Sequence, residues 1–416
     1  RRVPVGDGAD QERVVTAVVT GIGVAAPTGL GTESYWDATV RGRSGIRPIE
    51  RFDASRYPAR LAGQVPGFDV TEHLPSRLVP QTDRMTQLAL TAGAWALEDA
   101  GYDREAFGEY DVAVVTAASG GGVEFGHREL ENLWRKGKKF VSAYQSFAWF
   151  YAVNTGQLSI RHGARGPCGT VVTEQAGGLD AVGHARRQVR RGVPLVVTGG
   201  VDGALSPWGW VAQLSTGRVS ADAYRPFDPA ASGYLPGEGG AILVLEDAAH
   251  RDVPAYGEIA GYASTLDPRP GIDAPPGLRR AAELALADAR VTADEVDAVF
   301  ADAAGVPELD RVEADVLCAL FGPRGVPVTA PKSATGRLAA GGAALDLAAA
   351  LLSLRDGVLP PTPGVEHTDH PIDLVTGAAR DLPLRTVLVL ARGHGGFNAA
   401  VVVRAPQGKG AHLWRS

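Results

Sequence analysis

Cysteine is almost missing from this chain. Cys168 and Cys318 are the only two among 416 residues. Two thiols build no disulfide framework, so a reducing, cytoplasmic setting is expected. Long apolar runs are missing too: none reaches the ~18 residues a membrane helix requires. The segment from Val14 to Pro27 is interrupted by Thr16, Thr20, Gly21 and Gly23, which argues against a signal-peptide core. An excess of positive charge is also absent. Lys+Arg 41 against Asp+Glu 47 leaves a net charge of −6, the wrong sign for nucleic acid as main partner. Lysine is confined to Lys136, Lys138, Lys139, Lys332 and Lys409, as a GC-rich coding bias would produce. Clustered metal ligands are missing as well. His367-Thr-Asp-His370 has ligand-like spacing, but no Cys or Glu cluster joins it. A polar loop is expected there, and no metal.

What is present is an alternation of short apolar strands and Ala-rich helices. Strands are expected at Val14–Thr20, Val112–Thr116, Leu195–Thr198 and Ala241–Leu245, and again at Tyr256–Tyr262, Val296–Phe300, Val387–Leu390 and Ala399–Val403. Helices are expected at Met85–Ala100, Gly178–Arg191, Gly277–Ala289, Glu308–Leu320 and Ala343–Arg355. Buried strands between amphipathic helices mean an α/β architecture. Asp111-Val-Ala-Val-Val-Thr-Ala-Ala-Ser-Gly echoes Val296-Asp-Ala-Val-Phe-Ala-Asp-Ala-Ala-Gly, so a duplicated unit is expected, joined near Ala248–Pro254. Residues 13–250 and 251–405 then form two halves sharing one core. Residues 1–12 read as a disordered extension and 406–416 as a loose tail.

Gln175 is the most informative residue. In Gly169-Thr-Val-Val-Thr-Glu-Gln175-Ala-Gly-Gly, a short β-branched strand turns sharply into a helix that opens on small residues. The helix N-terminus favours negative charge, and acyl-transfer enzymes place Ser or Cys there. Glutamine is no nucleophile and does not titrate, but it offers two N–H donors and one acceptor. Cys168 lies before the strand with no His close after it, so it reads as a packed thiol. Gly21-Ile-Gly23-Val-Ala-Ala26 imitates a dinucleotide fingerprint. Pro27 and Gly29 stand where the phosphate-binding helix should begin, so a tight glycine turn against a neighbouring strand is expected instead. Arg186, Arg187, Arg190 and Arg191 crowd one helix C-terminus, as favourable dipole placement or as a dock for an acidic partner. Pro236-Gly-Glu-Gly-Gly240 and Gly393-His394-Gly-Gly396-Phe397-Asn398 are either oxyanion-binding loops or simple turns.

Taken together, these segments resemble β-ketoacyl synthases. Val18-Val-Thr-Gly-Ile-Gly-Val-Ala-Ala-Pro-Thr-Gly, Glu174-Gln-Ala-Gly-Gly-Leu-Asp-Ala, Pro226-Phe-Asp, Pro236-Gly-Glu-Gly-Gly, Pro331-Lys-Ser and Gly393–Asn398 follow the family's order. Ser146–Gln157 and Pro207-Trp-Gly-Trp210 make the likeness strongest to the β subunit, the chain length factor of bacterial type II aromatic polyketide synthases. The resemblance spans roughly residues 14–404. It implies the thiolase fold, layered α-β-α-β-α with two duplicated halves.

The resemblance also implies what is missing. Catalytic relatives use one Cys and two His. Gln175 stands at the Cys position, Ala304 and Arg337 at the two His positions, while Lys332 is kept. His394 stands where relatives often carry Phe, in the loop with Phe397. Such a chain would not condense by itself. It would pair with a ketosynthase α-subunit, with strand residues Thr170, Val171, Val172 and Thr173 meeting the partner across a pseudo-twofold axis. An acyl carrier protein would deliver substrates on its phosphopantetheine arm, and this chain would bind no cofactor. Val123, Gly126 and Leu130 share the i, i+3, i+7 spacing of one helical face. They are expected to line a tunnel that limits chain length, or else to pack within the subunit. Small side chains there imply a deep tunnel and a decaketide or longer product. Gln175 itself would either orient a malonyl thioester for decarboxylation or plug the interface.

Overall fold

A computed structural model describes residues 15–269 and 274–406. The expected extension over residues 1–12 and the tail beyond Pro406 lie outside the described residues. Five strands build the first half: β1 (Ala17–Ala26), β2 (Val112–Ala117), β3 (Cys168–Val171), β4 (Leu195–Asp202) and β5 (Gly239–Asp247). They lie in the order β3-β2-β4-β5-β1. Strands β3 and β4 run parallel to β2, and β5 runs antiparallel to β4 and β1. The second half holds β6 (Gly257–Leu266), β7 (Ala298–Phe300), β8 (Pro327–Thr329), β9 (Thr386–Gly393) and β10 (Phe397–Arg404). Their order, β8-β7-β9-β10-β6, repeats the first half strand for strand. The senses repeat as well. The sequence echo is therefore a structural duplication. A short antiparallel join, Val18 with Glu258 and Val19 with Gly257, links the two sheets.

The helices complete five layers. They are α1 (Arg84–Asp99), α2 (Val123–Lys136), α3 (Val153–His162), α4 (Gly177–Arg190), α5 (Pro207–Leu214), α6 (Gly277–Ala289), α7 (Pro307–Phe321) and α8 (Ala340–Asp356). Helix α1 covers the outside of the first sheet and α6 the outside of the second. Helices α4 and α8 pack against each other between the sheets. Strands β1, β2 and β4 are buried at every residue, which is why they read as continuous apolar runs rather than alternating ones. Helix α8 is buried from Ala340 to Leu354, and its apolar composition all round follows from that central place.

Small residues set the layer spacing. A Cβ added to Gly178 of α4 would stand 2.5 Å from the backbone nitrogen of Ala344 in α8. Gly21 and Gly23 correct one expectation: they form no turn. They lie inside β1, and the element they approach is helix α1 rather than a strand. A Cβ on Gly23 would meet the Ala92 carbonyl oxygen at 1.9 Å. The strand continues through Ala26, so no phosphate-binding helix begins there.

Gly23→Ala should therefore force β1 and α1 apart. We expect a loss of about 1–3 kcal/mol, the usual cost of overpacking. It would be read as a lower urea midpoint with an unchanged m-value.

Candidate functional site

The site lies where the N-terminal ends of α4 and α8 meet the loops after β7 and β9. The turns into α4 and α8 and the loop after β7 each hold a non-glycine residue at positive φ: Glu174 (52°), Ala339 (48°) and Ala303 (49°). Backbone strain of this kind persists only where its surroundings impose it. Glu174 opens a 3-10 turn that leads directly into α4. The next residue, Gln175, is completely buried. Its amide is turned inward against α8: a Cβ on Gly342 would lie 2.5 Å from both the amide oxygen and nitrogen. Neither amide atom has a hydrogen-bond partner among the described residues.

Arg337 and Ala304 do come together, in a cavity of about 270 Å³ that Glu174, Asp302, Tyr234 and His394 also line. Gln175 does not line it. Arg337 reaches across this space. Its guanidinium donates to the Asp302 carboxylate at 3.1 Å and to the Arg392 carbonyl at 2.5 Å, and it lies 5.8 Å from the Tyr234 ring centroid. Asp302 also accepts from the Arg392 backbone N–H at 2.8 Å and from its Nε at 3.1 Å. Arg392 reaches on to Glu313 at 2.9 Å. Glu313 in turn accepts the backbone N–H groups of Asp302 and Ala303 at 2.7 and 2.8 Å, which fixes the strained loop.

Burial alone would raise the Asp302 pKa, but Arg337, Arg392 and Lys332 hold it well below the usual carboxylate range. Burial pushes neighbouring Asp310 up to about 7, against the hydrogen bond from the Phe227 N–H. Lys332 makes a fully buried ion pair with Asp346 of α8 at 2.6 Å. Burial lifts Asp346 to about 6 despite that lysine. His394 is exposed: its backbone N–H donates to Glu174 at 3.0 Å, and its Nδ1 lies 3.2 Å from Arg218. Phe397 packs partly buried on the central core.

A second cavity, of about 310 Å³, opens beside the first. Val123, at the start of α2, lines it together with Trp208 and Trp210 of α5. Gly126 is buried one turn further on, where a Cβ would touch Trp208 at 3.6 Å and Trp149 at 3.8 Å. Leu130 is 39% exposed and does not line this cavity. The helix start is pinned: Asp83, the cap of α1, accepts the Phe125 N–H at 2.7 Å, and Arg51 pairs with both Glu124 and Glu238.

The strand expected to meet a partner ends its sheet. Thr170 and Val171 lie in edge strand β3, and Val172 and Thr173 follow it, Val172 being 46% exposed. Hydroxyl contacts of 2.7 Å run from Thr116 to Thr155 to Thr170 and hold β3 in place. Thr173 donates to Asp180 at 2.5 Å. The matching strand of the second half, β8, is instead covered by Asp373–Leu374. The arginine cluster divides. Arg186 is buried, bonded to Asp288 and the Ala260 carbonyl, whereas Arg187, which lies over Tyr262, and Arg190 and Arg191 are exposed. Sequence reasoning missed Asp302, Glu313 and Arg392. The signal for Asp302 and Arg392 was a charged residue at the end of an otherwise apolar strand, whereas Glu313 sits inside helix α7.

Among known proteins, residues 14–250 match the N-terminal domain of β-ketoacyl synthases and residues 256–366 the C-terminal domain. The chain belongs to the β-ketoacyl synthase family. Within it, the chain sides with the chain length factors. It is 58% identical to β-ketoacyl synthase 2 of the actinorhodin polyketide system of Streptomyces coelicolor, over 94% of this chain and 98% of that protein. It is also 58% identical to the ketoacyl synthase β subunit of the tetracenomycin polyketide synthase of Streptomyces glaucescens, over 93% and 98%. To the α subunit of that same synthase the identity falls to 34%, over 94% and 97%. The solved ishigamide ketosynthase/chain length factor superposes with a TM-score of 0.88 at 28% identity, covering 94% of this chain and all of that one. The five-layered arrangement of this chain is thus that of the thiolase fold. Among the described residues, no helix is long and apolar enough to cross a membrane, and no cluster of three or more metal-ligating side chains exists.

Asp302 is the hinge of the charged cluster. Asp302→Ala leaves the buried Arg337 guanidinium without a carboxylate and Arg392 with Glu313 alone. We expect a loss of about 3–5 kcal/mol at neutral pH, measured by urea unfolding. The lowered pKa of Asp302 contributes stability that is fully present above the ordinary carboxylate range and is lost as pH falls through that range toward its lower native value. The variant should lose that part of the acid sensitivity.

Proposed function

We propose that this chain is the non-condensing β subunit of a type II polyketide synthase. It pairs with a ketosynthase α subunit and sets how far the polyketide grows. The observation that carries this reading is the site itself. Where a condensing enzyme needs a thiolate and two imidazoles, this chain has a buried amide, a methyl group and a salt-bridged guanidinium, at Gln175, Ala304 and Arg337. None of the three can form an acyl thioester or give up a proton near neutral pH. Chemistry of the acyltransferase kind then falls to the partner's Cys and two His. An acyl carrier protein brings each malonyl unit on its phosphopantetheine arm, and this chain requires no cofactor of its own.

The open edge of β3 supports the pairing. An edge strand with no further strand beside it among the described residues, and with Val172 exposed, suits strand addition across a pseudo-twofold axis. The cavity beside Val123 supports the ruler. A growing chain stops when its next extension no longer fits, which is a steric limit rather than a chemical one. Val123 lines the cavity directly, and Gly126 sets the place of Trp208 behind it. Gln175 is read as structural, since its amide faces α8 and lies off the cavity beside Arg337. A decarboxylating role would require that amide to reach a thioester.

The test is reconstitution. Malonyl carrier protein is incubated with the α subunit, with and without this chain, and the carrier-bound products are weighed. A discrete long polyketide that vanishes when this chain is omitted is the expected result. Val123→Phe should shorten the product by at least one malonyl unit with the heterodimer intact. An unchanged length would reduce the chain to a scaffold.

A further inference from the structure

The two cavities share a wall, and Arg337 is its centre. Arg337 and Gln213 are the residues that line both spaces. The Arg337 backbone is fixed by two hydrogen bonds, its N–H to the Leu235 carbonyl at 2.8 Å and its carbonyl from the Gly237 N–H at 3.0 Å. Its side chain is held at the far end by Asp302 and the Arg392 carbonyl. Between these anchors it spans the gap over the face of Tyr234, whose hydroxyl donates to Gln213 at 3.0 Å. Arginine, tyrosine and amide therefore form one tied partition.

We propose that Arg337 closes the inner end of the chain-length cavity and so determines product length. The inference rests on reading the cavity beside Val123 as the space the growing chain enters. The substrate concerned is a flexible acyl chain bearing alternate keto groups. Beyond the partition lies the first cavity, about 270 Å³, whose far wall includes Ala304, Val306 and Leu309. With the arginine truncated, the two spaces become one. A chain that had filled the outer cavity of about 310 Å³ gains room for further extension.

Truncation should not cost the fold dearly. Asp302 keeps Arg392, which pairs with it through both Nε and the backbone N–H. No buried carboxylate is stranded, and the strained loop keeps its Glu313 clamp. Arg337 thus differs from Asp302, whose loss leaves Arg337 without a carboxylate while Arg392 keeps Glu313.

The experiment compares products of the reconstituted heterodimer by mass. Arg337→Ala and Gln213→Ala each thin the wall and should lengthen the product by at least one malonyl unit. Arg337→Met keeps the span without the charge and should return the wild-type length. Val123→Phe is the control on the cavity itself. If Val123→Phe shortens the product while both alanine variants leave it at wild-type length, the partition is overturned and the ruler stands. If Val123→Phe also has no effect, the ruler reading has failed and the partition falls with it. If Arg337→Met lengthens the product as Arg337→Ala does, charge rather than span is responsible, which overturns a steric wall. Should Arg337→Ala fail to assemble, Gln213→Ala decides the matter alone.

Discussion

The contact between α4 and α8 is the constraint from which the rest follows. Two helices packed between two sheets must approach each other closely, and the one at the very centre must be apolar all round. Gly178 of α4 against Ala344 meets the first demand, and the Ala-rich sequence of α8 meets the second. Because the helices are paired, their N-terminal ends arrive at one place. The turn at Glu174, the loop at Ala303 and the turn at Ala339 converge there whatever side chains they carry. The site is therefore a product of the layers before it is a product of its chemistry.

That separation explains how the fold keeps its shape with different residues at its centre. A buried cavity that loses polar side chains must be refilled or recharged in balance. Here one methyl group fills little, and one guanidinium fills much. The guanidinium is neutralised by Asp302, which shares Arg392, which shares Glu313. A buried ion pair is weak evidence for stability, since desolvation offsets much of the attraction. A fully satisfied network does impose one arrangement of the loops that carry it. The three strained residues remain because each loop is clamped by hydrogen bonds from outside itself.

Much of the architecture could be read in the chain. The duplicated strands at Asp111 and Val296 announced the two halves, since both are buried strands that run into small-residue loops. Helix α6 was expected at the very residues it occupies, because Gly277 to Ala289 has a clean apolar period. Two kinds of feature stayed hidden. Gly21 and Gly23 looked like a turn, because sequence cannot tell a bend from a strand that needs a helix close by. The charged cluster was invisible because its members lie far apart in the chain: Asp302, Glu313, Arg337 and Arg392 meet only through tertiary packing. The direction of the Gln175 side chain was hidden for the same reason, being set by Gly342 of a distant helix. Leu130 shares the helical spacing of Val123, yet lies beyond the cavity because that space covers only the first turn of α2.

The asymmetry of the two sheet edges has a bearing on self-association. In the second half, Asp373–Leu374 covers β8, while β3 stands open at the other end. An uncovered ladder beside an exposed valine will pair with whatever strand reaches it first. The same open edge makes self-association a hazard for any copy whose β3 is left uncovered.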